Sequence, residues 1–209
     1  MSYTFVTAAR IVMPREGFES WLDAPVASGT VIENPAEMFA GWYWGDREGE
    51  ADWSDAETGQ TARQLLAERV ASPEAMTVLR YRNGALEAYL WTVGYSGFWE
   101  TPARQLLLML AGAGAFKADD TEDYVLFWED AGGMLPERNE DALLALLAAG
   151  RRRVRFAGKR PLADILGRLK PVEEAFHELA EALDDDDPQP SAVLLDPTYI
   201  DPAVLNPVR

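Results

Sequence analysis

Met76-Thr77-Val78-Leu79-Arg80-Tyr81-Arg82-Asn83-Gly84-Ala85-Leu86-Glu87-Ala88-Tyr89-Leu90-Trp91 is the stretch whose reading decides the fold class. Before Asn83, Val78, Arg80 and Arg82 alternate with Leu79 and Tyr81; after Gly84, Leu86, Ala88 and Leu90 alternate with Glu87, Tyr89 and Trp91. A period of two is that of a strand with two unlike faces. Asn-Gly is the pair that most readily takes the two positive φ angles of a type I′ turn. The segment from Met76 to Tyr95 is therefore predicted to be an antiparallel hairpin, and helix-like segments on both sides of it make the expected class α+β, an antiparallel or mixed sheet covered by helices.

Tyr3 to Met13 is rich in β-branched and aromatic residues and reads as a first strand ending at Pro14. Over Pro14 to Ala24, Phe18, Trp21 and Leu22 fall on one helical face with Glu16, Glu19 and Asp23 between them, which buries the tryptophan. From Ala27 to Gln60 no period is sustained, and a long loop or loosely built subdomain is expected. Thr61 to Ala71 reads as a helix capped by Thr58 or Thr61, and Thr101-Pro102 opens another running to about Ala113. The unbroken run Tyr124-Val125-Leu126-Phe127-Trp128 within Asp123 to Glu129 predicts a central strand.

Asn139 is expected to cap a short helix over Glu140 to Ala149, ended by Gly150. Arg151 to Ala157 follows as a strand with Val154 and Phe156 on one face and Arg151, Arg153 and Arg155 on the other. A helix from Pro161 to about Leu169 is expected to break at Pro171 and restart over Val172 to Leu183, with Phe176, Leu179 and Leu183 as its apolar stripe. Residues 184–209 open with four aspartates and carry prolines at 188, 190, 197, 202 and 207. They are expected to form an extended, Pro-rich C-terminal arm beside a single domain over 1–183, able to dock through Val193, Leu194, Leu195, Tyr199 and Ile200.

Composition narrows the functional classes. The 209 residues hold 35 Asp and Glu against 19 Lys and Arg, a formal net charge of −16. So acidic a surface repels phosphate backbones, which argues against direct nucleic-acid binding. With no cysteine and one histidine, His177, thiolate and multi-histidine metal centres have no ligands to use, and no cofactor is expected. The longest apolar run, Leu106 to Phe116, has 11 residues, against about 20 for a membrane span. The N-terminus shows no basic opening or apolar stretch of a secretory signal, so a cytoplasmic location is expected.

The acidity is patchy. Residues 1–60 carry 11 acids and 3 bases, 100–150 carry 10 and 3, and 184–209 carry 6 and 1, whereas 151–183 carry 5 acids and 8 bases. The densest stretch, Glu33 to Glu57, holds eight carboxylates and one base, Arg47, together with Phe39, Trp42, Tyr43, Trp44 and Trp53. Trp and Tyr anchor interfaces, and carboxylates around them speed association with a basic partner. The expected partner-binding residues are therefore Trp42, Trp44, Asp46, Glu48, Glu50, Asp52, Trp53 and Asp55. The same aromatics also suit a small core of the segment's own. The basic run Arg151, Arg152, Arg153, Arg155, Lys159 and Arg160 is expected to pair with the chain's surplus carboxylates.

No phosphate loop, dinucleotide fingerprint, nucleophile elbow or zinc-binding helix occurs, and no catalytic residue is assigned. Asp119, Asp120, Glu122 and Asp123 lack the spacing and central glycine of a calcium loop. His177 stands one turn from Glu173 and Glu181 on its helix. Small size, absence of cysteine, strong acidity and the segment Trp42-Tyr43-Trp44-Gly45-Asp46 together resemble, in general character, the immunity proteins of bacterial polymorphic-toxin and interbacterial secretion systems. The resemblance implies a non-enzymatic cytoplasmic protein that occludes the active site of a basic toxin domain. The alternatives are a glycosidase-like hydrolase with a carboxylate site at Trp99, Glu100, Trp128, Glu129 and Asp130, and a DNA-mimic inhibitor.

Overall fold

The hairpin forms as its alternation requires. In a computed structural model of the chain, describing residues 2–39, 53–72, 75–95, 100–129, 143–158, 162–183 and 195–206, β2 (Ala75–Arg82) and β3 (Ala85–Tyr95) pair antiparallel across Asn83-Gly84. The two turn residues take φ of 51° and 71°, a conformation Asn and Gly reach at little cost. β1 (Ser2–Val12) lies between β3 and β4 (Asp123–Glu129), antiparallel to both. β5 (Leu143–Ala149) and β6 (Val154–Phe156) complete a six-stranded, wholly antiparallel sheet of order β2-β3-β1-β4-β5-β6.

The period of two divides the core between the two faces. Ala9, Ile11, Leu79, Leu86, Leu90, Val125, Phe127 and Leu147 face α1 (Arg15–Asp23), α2 (Ala62–Val70) and α3 (Glu100–Gly112). Val6, Ala8, Val78, Tyr89, Leu126, Trp128 and Leu146 face α4 (Ala163–Ala182). Trp21 is buried as its helical spacing requires, and its indole N–H donates to the Met109 carbonyl at 3.0 Å. Thr61 caps α2 through a full capping box with Gln64, so Thr61 and not Thr58 is the cap.

Two expectations are corrected. The segment from 143 to 149, Leu-Leu-Ala-Leu-Leu-Ala-Ala, is a strand, not the end of a helix over Glu140–Ala149; Asn139 and residues 140–142 lie outside the described residues. Leucine and alanine favour a helix by at most about 0.7 kcal/mol per residue, whereas burying one leucine is worth about 1.5–3 kcal/mol. Paired to β4, the segment buries Ala145 and Leu147 on one face and Leu146 on the other, so burial on two faces outweighs propensity. The second correction concerns α4, which runs unbroken through Pro171. The proline is on the exposed side, where water can serve the Gly167 carbonyl that loses its amide partner, while Leu169, Val172 and Phe176 hold the opposite side to the sheet.

Both outer edges of the sheet are capped by irregular backbone. At β6, the Glu33 N–H donates to Val154 O at 2.9 Å, and the Asn34 side-chain amide donates to Phe156 O at 3.1 Å while accepting from Phe156 N–H at 2.8 Å. At β2, Leu79 N–H donates to Tyr199 O and Asp201 N–H to Leu79 O, each at 2.8 Å. Such caps remove the free strand edges that promote aggregation. Among the residues expected to dock the C-terminal arm, Ile200 is buried, Tyr199 half-buried and Leu195 exposed; Val193 and Leu194 lie outside the described residues. The C-terminal segment is not extended throughout as expected: a short helix, α5 (Pro202–Leu205), with Pro202 in its first turn and Asp201 as its cap, adds Ala203 and Val204 to the core. No helix among the described residues is long and apolar enough to cross a membrane.

Candidate functional site

The acidic segment Glu33–Glu57 is described up to Phe39 and again from Trp53. Its two ends meet. On the entering side, Ser28 caps a 3-10 turn at Gly29–Val31, Ile32 is buried, Glu33 and Asn34 bind β6, and a second turn follows over Pro35–Phe39. On the returning side, Trp53 precedes a third turn, Ser54–Ala56. A Cβ on Gly29 would stand 2.3 Å from Trp53 Cβ, so only glycine lets the two ends pack this closely. The Ser28 hydroxyl also donates to the exposed Glu57 carboxylate.

Trp53 is not the exposed anchor expected of it. Only 3% of its surface is accessible; its ring lies 6.1 Å from Phe156, with the Arg104 guanidinium 5.7 Å from its centroid. An indole buried in its own core gives up its contact area to the fold and keeps none for a partner. Trp42, Trp44, Asp46, Glu48, Glu50 and Asp52 lie outside the described residues, and Asp55 stands in the turn after Trp53. Glu37 and Glu57 are exposed carboxylates at the two ends.

The neighbouring basic stretch is used within the chain, as the charge balance suggests. Arg153 Nε lies 2.7 Å from Glu33, Arg155 Nη2 contacts both oxygens of Glu122 at 3.0–3.1 Å, and Arg152 stands 3.9 Å from Asp120. Lys159 and Arg160 lie outside the described residues. Arg155 and Arg152 thus face carboxylates outside the acidic segment, while Arg153 meets Glu33 at its first residue, and exposed pairs such as Arg153–Glu33 add little stability.

Trp128 and Glu129, from the alternative hydrolase set, are consecutive on β4 and so point to opposite faces. Trp128 is buried against Tyr89, ring centroids 5.7 Å apart, while Glu129 is exposed. Trp99 and Asp130 lie outside the described residues, and Glu100 is the first residue of α3. His177 is half-buried, 4.0 Å from Glu173. In the Asp119–Asp123 cluster, Asp123 is buried against Lys117, Glu122 holds Arg155, and Asp119 accepts from Thr121. No group of three or more metal-binding side chains forms among the described residues.

One further charged site carries no motif in the sequence. Arg80 Nε donates to Glu87 Oε2 at 2.9 Å, and Arg10 Nε approaches Glu87 Oε1 at 3.7 Å, so an Arg-Glu-Arg row, with Arg80 and Glu87 buried and Arg10 half-buried, crosses three strands on the α4 face. Arg80 Nη2 donates to the Pro171 carbonyl at 2.9 Å, joining the sheet to α4. A cavity of about 230 Å3 opens over Arg80 and Glu87. The signal was in the hairpin: a two-residue turn pairing Arg82 with Ala85 sets Arg80 opposite Glu87.

Comparison with protein-family models, with curated proteins and with solved structures finds no match for this chain.

Proposed function

We propose that the chain is an immunity-type binding protein, acting in the cytoplasm, whose acidic segment occludes the active site of a basic toxin domain that works on nucleic acid or nucleotides. The observation that supports this reading best is the joining of the two ends of the acidic segment beside β6, where Gly29 packs on Trp53 and Ser28 bonds Glu57. A segment rooted at both ends loses less conformational entropy on binding than a free tail does. Trp42 and Trp44 are the anchors, and Trp53, buried in the core, fixes the returning end of the segment. Asp46, Glu48, Glu50 and Asp52, with Glu37 and Glu57 at the ends, supply the field that steers a cationic groove onto the segment.

The test is co-expression with the products of neighbouring genes and, for any basic domain that is recovered with the chain, binding kinetics. Changing Asp46, Glu48 and Glu50 together to lysine is expected to slow association by about tenfold or more and to flatten its dependence on salt, with dissociation changed much less. Equal association rates for parent and triple variant would remove the segment from the interface. Recovery of no basic partner with the parent protein would remove the immunity reading.

A further inference from the structure

We propose that the cavity between the β2-β3 hairpin and the middle of α4 binds a free basic α-amino acid of the lysine or arginine type. The site is on the opposite face of the sheet from Trp53 and does not depend on the acidic segment. Its floor is the Arg80–Glu87 pair, each residue less than one-tenth exposed. The floor is held from three sides: Glu87 takes Arg80 Nε, the Pro171 carbonyl takes Nη2, and Thr198 O lies 3.5 Å from Nη1. Both side chains are buried and tied into the sheet, with Glu87 shared between Arg80 and Arg10, so they shape the cavity floor while the groups that remain free to meet a ligand stand on the walls.

The walls set that preference. Glu174 and Glu178 line one side from α4; Arg82 and Asn83 line the other from the hairpin turn. None of these three charged groups forms an ion pair among the described residues. The walls therefore carry two negative charges and one positive, and the matching ligand carries two cationic groups and one carboxylate. The two glutamates are one helical turn apart, about 5–6 Å between Cβ atoms, which suits two cationic groups joined by a short aliphatic chain. A ligand carboxylate opposite them meets the Arg82 guanidinium, whose fork favours that group, and the Asn83 amide. At about 230 Å3 the cavity falls below the about 300–1,000 Å3 usual for drug-sized ligands and fits a molecule of amino-acid size. A diamine leaves Arg82 uncompensated; a simple anion faces two carboxylates.

Isothermal titration of the full chain with lysine and with arginine tests this. At least one is expected to bind, with cadaverine, which lacks the carboxylate, and norleucine, which lacks the second cation, each about tenfold or more weaker. The double variant Glu174→Gln, Glu178→Gln is expected to lose a similar factor while keeping the parent's unfolding midpoint, because both side chains are exposed. Absence of binding by both amino acids up to about 10 mM, equal affinity for cadaverine, or unchanged affinity in the double variant would each overturn the assignment.

Discussion

Asp201 fastens the C-terminal segment to the rest of the chain. Its carboxylate accepts from Arg15 Nη1 at 2.5 Å and Nη2 at 2.9 Å and caps Ala203 N–H at 2.9 Å, while its own N–H bonds Leu79. Burial raises its pKa, but the hydrogen bonds and charge of Arg15, with the Ala203 and Tyr81 amides, outweigh burial and hold it below the ordinary carboxylate value. A depressed folded pKa means that the unfolded state binds the extra proton first. The contribution is therefore complete above the unfolded value of about 3.9 and is lost as pH falls through the folded value. Asp201→Asn is expected to cost about 1–2 kcal/mol at neutral pH, taken below the usual range for charged hydrogen bonds because Arg15 is partly exposed. Urea denaturation near pH 7 and near pH 3 checks this: the difference between parent and variant should shrink on acidification, and equal stability at neutral pH would refute it. Trp53 is the residue least legible in the sequence. Nothing in an aperiodic segment says that Trp53 turns inward, and the reason, close packing on Gly29, joins positions 24 residues apart.

At the scale of elements, legibility followed how many independent signals agreed. Alternation and Asn-Gly both specified the hairpin; Thr61 and Gln64 specified the start of α2; alternation placed Val154 and Phe156 inward on β6. Residues 143–149 carried one signal, propensity, and it was overruled by the open edge of β4. α4 shows the converse, since a proline that breaks an isolated helix is tolerated where apolar residues on both sides of it reach the same sheet. An interior proline costs about 3 kcal/mol, and its removal returns about 0.4–1 kcal/mol of unfolded-state entropy against the variant. Pro171→Ala is accordingly expected to stabilise the protein by about 2 kcal/mol or slightly more, seen as a higher denaturation midpoint. Arg80 keeps its bond, because the acceptor is the backbone carbonyl. A lower midpoint would mean that α4 needs the proline's shape.

For the whole molecule, a net charge of −16 makes self-repulsion a property that no single ion pair cancels. Raising salt from about 10 mM to about 150 mM shortens the Debye length from about 30 Å to about 8 Å. Thermal stability is expected to rise over that range, although the same screening weakens Arg15–Asp201 and Arg153–Glu33. A falling melting temperature would show that local pairs outweigh the global surplus.

The α+β class, the hairpin and its register, the sidedness of β6 and the acidic character follow from the sequence alone, because each depends on neighbours along the chain or on composition. Tertiary structure alone decided that 143–149 is a strand, that α4 passes through Pro171, that Trp53 is core, and that Glu174 and Glu178 face Arg82 across a cavity. Each of these is settled by burial or charge opposite another element, a contact whose partner is far away in sequence.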